Sequence, residues 1–323
     1  MSIISNCTAT AINDAAAALI KGDLVAFPTE TVYGLGADAT NMNAVRRIYD
    51  VKGRPAGHPV IVHISSIEYL DKWAREIPNY ALKLAIAFWP GPMTLILPRT
   101  DLAQDFITGG QDNVGIRVPA HYGALSLLKT FESRGGFGVA APSANKFGKV
   151  SPTTATAVEI ELGEYLNHND KILNGGPCEI GIESTIIDCT KNTPSILRPG
   201  AITKKMIELA MGDSNRLAPN QEGKKIKVPG LLSSHYSPQA EIILNGLPNQ
   251  GDGLIALKSI PTEKGIIRLA SPKNAEEFAQ ILYEAYREGD NLNLNKIHVI
   301  APEGDGIEIA ICDRVNKSSN LNN

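Results

Sequence analysis

The stretch from residue 27 to residue 63 restricts the fold of this chain more than any other segment. An apolar strand at residues 24–27 ends at a proline, and a loop rich in threonine and glycine leads into an amphipathic helix at residues 43–51. Arg54 and a histidine four residues later each precede a proline, which disfavours helix there, and an apolar strand at residues 60–64 follows. Strand, loop, helix and strand in this order predict an α/β sheet with polar groups at its strand ends.

The rest of the chain continues this alternation. The loop that holds Thr29, Thr31, Gly34 and Gly36 is predicted to carry no strand, because glycine and threonine are typical of turns. Apolar runs predict strands at residues 93–97, 114–118 and 139–141. Helical periodicity predicts helices at residues 11–21, 66–75, 78–88, 121–133, 153–166 and 203–211.

A polar segment divides the chain into two predicted domains. Residues 212–239 show no sustained period, so we interpret them as a linker. We predict a catalytic domain at 1–211, a second α/β domain at 240–317 in which strands and helices again alternate, and a short tail at 318–323.

Composition limits the partners and the location. The 323 residues carry a formal net charge of -3, which argues against bulk attraction to nucleic acid or an anionic membrane. We find no apolar run long enough to span a bilayer and no secretory signal. The four cysteines are scattered, without metal-ligand spacing or a disulfide framework. We therefore expect a cytoplasmic protein without a membrane partner.

The usual signatures of nucleotide, zinc-protease and serine-hydrolase sites are absent from the sequence. We therefore expect any catalysis to depend on positioning and electrostatics. Cations recur beside prolines, glycines and strand ends, and arginine forks suit carboxylates and polyphosphates. These cations are Lys52, Arg54, Arg117, Lys146 and Arg198.

Two of these cations, and three other candidate site residues, also have a purely structural interpretation. Arg117 and Arg198 lie in strands, where an arginine is often half of a structural ion pair. Ser143 and Asn145 follow a strand, where ligands gather in α/β sheets but where serine and asparagine also favour turns. His63, at the end of a strand, is typical of a satisfied core histidine. Spacing alone leaves these alternatives open.

Seven ordered blocks nevertheless resemble a known family, the two-domain YrdC-like threonylcarbamoyl-AMP synthases. The resemblance covers almost the whole chain, and HYSP (235–238) and AICDRV (310–315) resemble the extra C-terminal domain of the longer members. The blocks are PTETVYGLG (28–36), KGRPAGHPVIVHI (52–64), WPGPMTLIL (89–97), GIRVP (115–119), APSAN (141–145), GIESTIID (181–188) and LRPG (197–200).

The resemblance implies a fold and a set of site residues. The fold is α/β (α+β): a YrdC-like twisted mixed sheet flanked by helices, with a smaller Rossmann-like C-terminal domain. Lys52 and Arg54 would be catalytic. The implied L-threonine pocket comprises Thr31, His63, Arg117, Ala141 and Ser184. The implied ATP site comprises Lys52, Arg54, His58, Thr108, Ser143, Asn145, Ser151, Arg198 and Tyr236.

The resemblance also implies a reaction. L-Threonine, bicarbonate (or CO₂) and ATP would give threonylcarbamoyl-adenylate and pyrophosphate. Family members use Mg²⁺, which would be bound through ATP phosphates, with no metal-ligating residues in the protein. The product would pass to a tRNA threonylcarbamoyl transferase complex, so contact with tRNA is expected to be indirect.

The chain departs from the family pattern at two places. Leu232 and Ser234 of the linker occupy positions that are commonly basic, although His235 is retained. His58 stands where many members have an amide or lysine. Two alternative functions are a non-catalytic RNA-binding or regulatory YrdC-like module and a carbamoyltransferase of the hydrogenase-maturation kind. The carbamoyltransferase alternative lacks support because this sequence does not contain the zinc-finger cysteine pairs of those enzymes.

Overall fold

A computed structural model describes residues 4–212, 217–218, 226–230 and 236–319. The strands β1 to β14 span Ile4–Asn6, Val25–Phe27, Gly34–Asp38, Ile61–His63, Met93–Pro98, Asn113–Arg117, Val139–Ala140, Lys171–Asn174, Thr185–Asp188, Ser195–Arg198, Glu241–Leu244, Gly253–Ile255, Ile267–Ala270 and Lys296–Val299. The helices α1 to α10 span Ala9–Lys21, Met42–Lys52, Leu70–Trp73, Asn79–Phe88, Asp105–Thr108, Tyr122–Ser133, Ala155–Leu162, Lys204–Met211, Ala275–Asn291 and Glu308–Ser319.

The first ten strands form one mixed sheet, in the order β1-β8-β2-β3-β7-β4-β6-β5-β9-β10. Parallel pairs such as β4–β6 and β5–β9 alternate with antiparallel pairs such as β5–β6. A second sheet has the order β11-β14-β12-β13, and each of its neighbouring pairs is parallel. The predicted α/β fold, a mixed sheet followed by a smaller α/β unit, is confirmed.

The glycine-rich segment after β2 contradicts the prediction of a loop without a strand. Gly34–Asp38 forms β3, which pairs antiparallel with β2 and β7 in the middle of the sheet. The glycines are needed because a Cβ on Gly36 would lie 2.8 Å from both the Phe27 ring and a Val139 methyl group. Close packing of side chains from the neighbouring strands thus selects glycine here.

Two predicted helices are shorter than expected. The segment predicted at 66–75 is a 3₁₀ turn, Ile67–Tyr69, followed by the single-turn α3. The segment predicted at 153–166 is α7, which ends at Leu162 and continues as a 3₁₀ turn. The other predicted helices of the first 211 residues agree with α1, α2, α4, α6 and α8 within about two residues, the usual uncertainty of helix ends.

Apolar packing joins the two sheets into one body. The core around α9 contains Phe278, Leu282 and Tyr283 and also buries Val32 and Ile182 from the first 211 residues. Within the described ranges, no helix combines the length and apolar character needed to cross a bilayer.

Candidate active site

A cleft opens where strands of the large sheet end. His63 and Arg117 are register partners at the ends of the parallel strands β4 and β6, so both lie at one edge of the sheet. Of the predicted site residues, the cleft is lined by Thr31, Arg54, His63, Arg117, Ala141, Ser143, Ser184, Arg198 and Tyr236.

Arg117 is fixed on one side of the cleft by three contacts. Its Nη2 pairs with the Glu30 carboxylate at 2.7 Å, its Nη1 donates to the Thr31 hydroxyl at 2.9 Å, and its Nε donates to the Gly91 carbonyl at 3.2 Å. Because Glu30 is also held by the amide of Ala120, the guanidinium has a defined orientation. A guanidinium has five N–H donors; the hydrogen bonds to Thr31 and Gly91 use two of them, and Nη2 pairs with Glu30 through charge.

His63 is a neutral imidazole beside this guanidinium. Burial, followed by the positive charge of Arg117, lowers the pKa of His63 to about 3. Among the described residues its Nδ1 has no hydrogen-bond partner. A buried nitrogen of this kind is suited to a polar group of a ligand.

Arg198 and Ser184 form a second part of the cleft wall. Arg198 donates from Nε to the Ser184 carbonyl at 3.0 Å and from Nη2 to the Ser184 hydroxyl at 3.1 Å. Its Nη1 donates to the carbonyl of Pro229, which lies in the segment predicted as linker. Burial lowers the pKa of Arg198 from its ordinary value, yet the guanidinium stays charged at neutral pH.

Arg54 is positioned by the end of α2. Asn41 caps the start of this helix, and Gly53 ends it in the left-handed conformation with φ 61°. The Arg54 guanidinium donates to the Pro59 carbonyl at 2.7 Å and lies 5.8 Å from the centroid of the Phe147 ring. Burial lowers the pKa of Arg54 to about 10. Arg54, Arg117 and Arg198 therefore give the cleft three cationic groups.

Lys52 and Lys146 do not line the cleft. The Lys52 ammonium donates to the carbonyls of Ser143 and Asn145, so it holds the strand-end loop from behind. Burial, and then the nearby Arg54, lower the pKa of Lys52 well below its ordinary value. Lys146 donates to the Val51 carbonyl instead.

Four other predicted ATP residues are not part of the cleft lining. His58 packs edge-on against Phe147, 5.2 Å between ring centroids, close to Arg54. Thr108 ends α5 and accepts a hydrogen bond from Arg99. Asn145 donates to the carbonyls of Lys146 and Lys149, and Ser151 donates to the Glu183 carboxylate. Leu232, Ser234 and His235 lie outside the described residues.

Sequence reasoning gave no role to Glu183, whose carboxylate lines the same cleft. It accepts hydrogen bonds from Ser151 at 2.6 Å and Tyr283 at 3.0 Å and pairs with Arg314 at 2.8 Å. Burial alone would raise the pKa of Glu183, but Arg314, Arg198 and the Ser151 hydroxyl together lower it to about 2. The available signal was an acid directly before Ser184 in the block GIESTIID (181–188).

The cleft contains hydrogen-bond donors rather than metal ligands. Glu183, which lines it, and Glu30, which contacts Arg117 beside it, are each paired with an arginine. The described part of the chain holds no group of three or more His, Cys, Asp or Glu residues placed to bind a metal ion. The site is thus built to receive anionic groups.

An α/β protein whose buried cleft combines three arginines with hydroxyls and a neutral histidine belongs to the class of enzymes that act on small anionic substrates. Comparison with known proteins defines the class further. Residues 17–200 match a family described as telomere recombination, of the Sua5, YciO and YrdC proteins, and residues 202–320 match the C-terminal domain of threonylcarbamoyl-AMP synthase.

Known proteins named threonylcarbamoyl-AMP synthase are similar to this chain over nearly their full length. The threonylcarbamoyl-AMP synthase of Pyrococcus abyssi is 41% identical over 95% of this chain and 94% of its own. That of Bacillus subtilis is 38% identical over 95% and 92%. A crystal structure of P. abyssi Sua5 complexed with L-threonine superposes with a TM-score of 0.85, at 38% identity, and covers 95% and 94% of the two chains.

The chain therefore belongs to the threonylcarbamoyl-AMP synthase family. The predicted family and its enzymatic class, a nucleotidyltransferase that uses ATP in the first step of threonylcarbamoyladenosine modification of tRNA, are confirmed.

Proposed function

We propose that the cleft binds L-threonine and ATP side by side and joins them through a carboxylate supplied by bicarbonate or CO₂. The observation that carries this proposal is the placement of three arginines around one cleft that also holds a neutral histidine and several hydroxyls. The likeness to a Sua5 chain with bound L-threonine supports threonine as one of the two ligands.

We assign the Arg117 wall to threonine. Two N–H groups of Arg117 beyond its three protein contacts would hold the threonine carboxylate. The Thr31 hydroxyl and the His63 Nδ1 lie at the same wall and would bind the polar groups of the amino acid. A neutral imidazole accepts or donates one hydrogen bond without adding charge, which suits a ligand that carries both signs.

We assign the Arg54 and Arg198 side to ATP. The carboxylate of N-carboxythreonine attacks the α-phosphorus, an acyl–phosphate bond forms, and the bond between the α- and β-phosphates breaks as pyrophosphate leaves. Both reacting groups are anionic, so Arg54 and Arg198 would offset their repulsion and stabilise the charge that develops on the leaving group. Lys52 would act by holding the loop of Ser143 and Asn145.

Mg²⁺ would enter with ATP. The carboxylates of Glu30 and Glu183 are already paired with arginines, so the ion would be held by phosphate oxygens and water, as magnesium prefers. The product would be consumed by a tRNA threonylcarbamoyl transferase complex, and a cytoplasmic location fits that role.

The test is the complete reaction in solution. The protein is incubated with ATP, L-threonine, bicarbonate and Mg²⁺, and pyrophosphate is measured. We expect release that requires threonine and falls when bicarbonate is removed under CO₂-free conditions. Pyrophosphate release that continues unchanged without threonine would refute the proposal. Tight tRNA binding without any nucleotide turnover would favour the RNA-binding alternative instead.

A further inference from the structure

The last helix of the chain reaches into the wall of the cleft. Arg314 of α10 is completely buried, although it belongs to the second sheet unit and its contacts lie largely in the first. Its Nε pairs with the Glu183 carboxylate at 2.8 Å. Its Nη2 donates to two backbone carbonyls, that of Pro199 at 3.0 Å and that of Glu183 at 3.3 Å.

These two carbonyls are next to two cleft residues. Glu183 precedes Ser184, and Pro199 follows Arg198. Ser184 leads into β9 and Arg198 ends β10, the antiparallel neighbour of β9, with an irregular register between residues 196 and 198. A single guanidinium thus joins the ends of two strands at the point where both present a side chain to the cleft.

The charges around this contact leave Arg314 little freedom. The charges of both Arg314 and Arg198 stabilise the Glu183 carboxylate, and Asp313 pairs with the remaining Nη1 of Arg314 at 2.6 Å. Tyr283 of α9 donates to the same Glu183 carboxylate. Because a buried charge without its partner is costly, the arrangement holds the guanidinium in one geometry.

We propose that Arg314 is a positioning residue of the active site: by binding the carbonyls of Glu183 and Pro199, it sets the relative placement of Ser184 and Arg198. The second domain would then complete the cleft rather than merely adjoin it. This inference rests on the proposed function, in which Arg198 serves ATP, and on the predicted threonine pocket, which includes Ser184. It also assigns α10 a part in both substrate sites.

Lysine cannot replace arginine in this role. A guanidinium is a planar fork that directs separate N–H groups to a carboxylate and to two carbonyls, whereas an ammonium is a point charge on a flexible stem. Arg314→Lys therefore keeps the charge beside Glu183 but loses the simultaneous contacts to both strand ends. Misplacement of reacting groups by about 1 Å lowers a rate by up to about 100-fold.

Arg287→Lys is the matched control. Arg287 of α9 also crosses between the two sheet units, since it pairs with Glu161 at 3.4 Å and donates to the Val150 carbonyl at 2.6 Å. None of these three residues lines the cleft. The two variants thus each change an inter-unit arginine, but only one of them touches the strand ends.

The experiment measures steady-state pyrophosphate release with threonine and ATP varied in turn. We expect Arg314→Lys to lower kcat/KM for both substrates together by about 10-fold or more, while Arg287→Lys stays within about two-fold of wild type. A loss confined to one substrate, or an equal loss in both variants, would overturn the proposal. An inactive wild type would instead refute the proposed function. The positioning role of Arg314 would then be tested by a second measurement that does not depend on activity.

That measurement is hydrogen–deuterium exchange of the ligand-free protein. Backbone amides at 182–188 and 195–200 should exchange faster in Arg314→Lys than in Arg287→Lys, while peptides from α1 and α6 exchange equally. Unchanged exchange at both strand ends would contradict the proposal. If Arg314→Lys unfolds, the double variant Arg314→Gln/Glu183→Gln, which removes both charges, replaces it. This double variant is compared with Glu183→Gln alone. Equal kcat/KM in these two variants would also overturn the proposal.

Discussion

Arg54 makes one structural hydrogen bond and also lines the cleft. Its guanidinium binds the Pro59 carbonyl, but among the described residues its Nε has no hydrogen-bond partner. We predict that Arg54→Lys lowers kcat/KM for ATP about 100-fold, because a buried transition-state donor is lost. Stability should fall by only about 1 kcal/mol, since the Lys ammonium can still reach the carbonyl.

The control for this prediction is Arg46→Lys. Arg46 is exposed on α2, the helix that ends beside Arg54, so the same change there should leave both activity and thermal unfolding close to wild type. Steady-state kinetics and a thermal melt of both variants check the prediction. An Arg54→Lys protein with full activity would contradict the catalytic role of the guanidinium.

His63 makes stability depend on pH in a defined direction. Its folded pKa of about 3 lies below the value of about 6.5 expected in the unfolded chain. Between these values the unfolded chain binds a proton that the folded protein does not, so stability falls as pH decreases from about 6.5 toward 3. The carboxylate of Glu183, with its pKa near 2, acts at lower pH.

We therefore predict that His63→Gln removes part of the acid sensitivity. Between pH 7 and pH 5 the free energy of unfolding of the wild type should fall by about 2 kcal/mol more than that of the variant. Urea titrations at the two pH values measure this difference. Equal decreases in both proteins would mean that His63 protonates in the folded state with an ordinary pKa.

Only part of this site is readable from single residues. A charge inside an apolar strand points to a cleft or an ion pair, and Arg117 takes part in both. Lys52 was expected in the cleft, but the sequence does not show that its side chain turns back to two carbonyls. Glu183 escaped notice because its partner Arg314 is 131 residues away, and such contacts exist only in the folded chain.

Strand β3 shows how packing overrides local preference. Its glycines look like turn residues, yet Gly36 lies in a central strand where a Cβ would approach Phe27 and Val139 within 2.8 Å. We predict that Gly36→Ala lowers the free energy of unfolding by about 1–3 kcal/mol through overpacking. Gly57→Ala is the control, because nothing lies within 4 Å of its Cβ position, and denaturant titration of both variants provides the comparison.

The same reasoning explains which elements the sequence predicted well. The helices α1, α2, α6 and α8 each have an apolar face of regular period, and their ends coincide with caps such as Gly22 and Asn41. The short β1 and the glycine-rich β3 have no such pattern, because their place in the sheet depends on the partner strands β8, β2 and β7. Periodicity therefore predicts helices with a buried face better than strands held by distant neighbours.

The two sheet units meet through backbone as well as side chains. Gly181 has φ +80°, and a Cβ there would lie 2.4 Å from the Gln280 Cα and 2.5 Å from the Ala279 carbonyl of α9. These are backbone atoms of the second unit, so they cannot move aside as a flexible side chain would. The close approach brings α9 against the residues that precede Ser184.

We predict that Gly181→Ala separates the two units enough to impair the cleft without unfolding either. The clash should push α9 and α10 away from the strand ends, weaken the Arg314 contacts and lower kcat/KM for threonine and ATP together by about 10-fold or more. Thermal unfolding should become broader or split into two transitions, since cooperativity depends on the shared interface.

Gly176→Ala separates this effect from backbone strain. Gly176 has φ +83°, nearly the same as Gly181, but nothing lies within 4 Å of its Cβ position. Alanine in the left-handed region costs each variant about 1 kcal/mol, so strain alone predicts equal melting temperatures and equal kinetics. Only the contact with α9 predicts a further loss in Gly181→Ala, and calorimetry together with pyrophosphate release distinguishes the two. If both variants behave alike, the second unit is not held against the cleft by this approach, and the coupling between the units must depend on side chains such as Arg314.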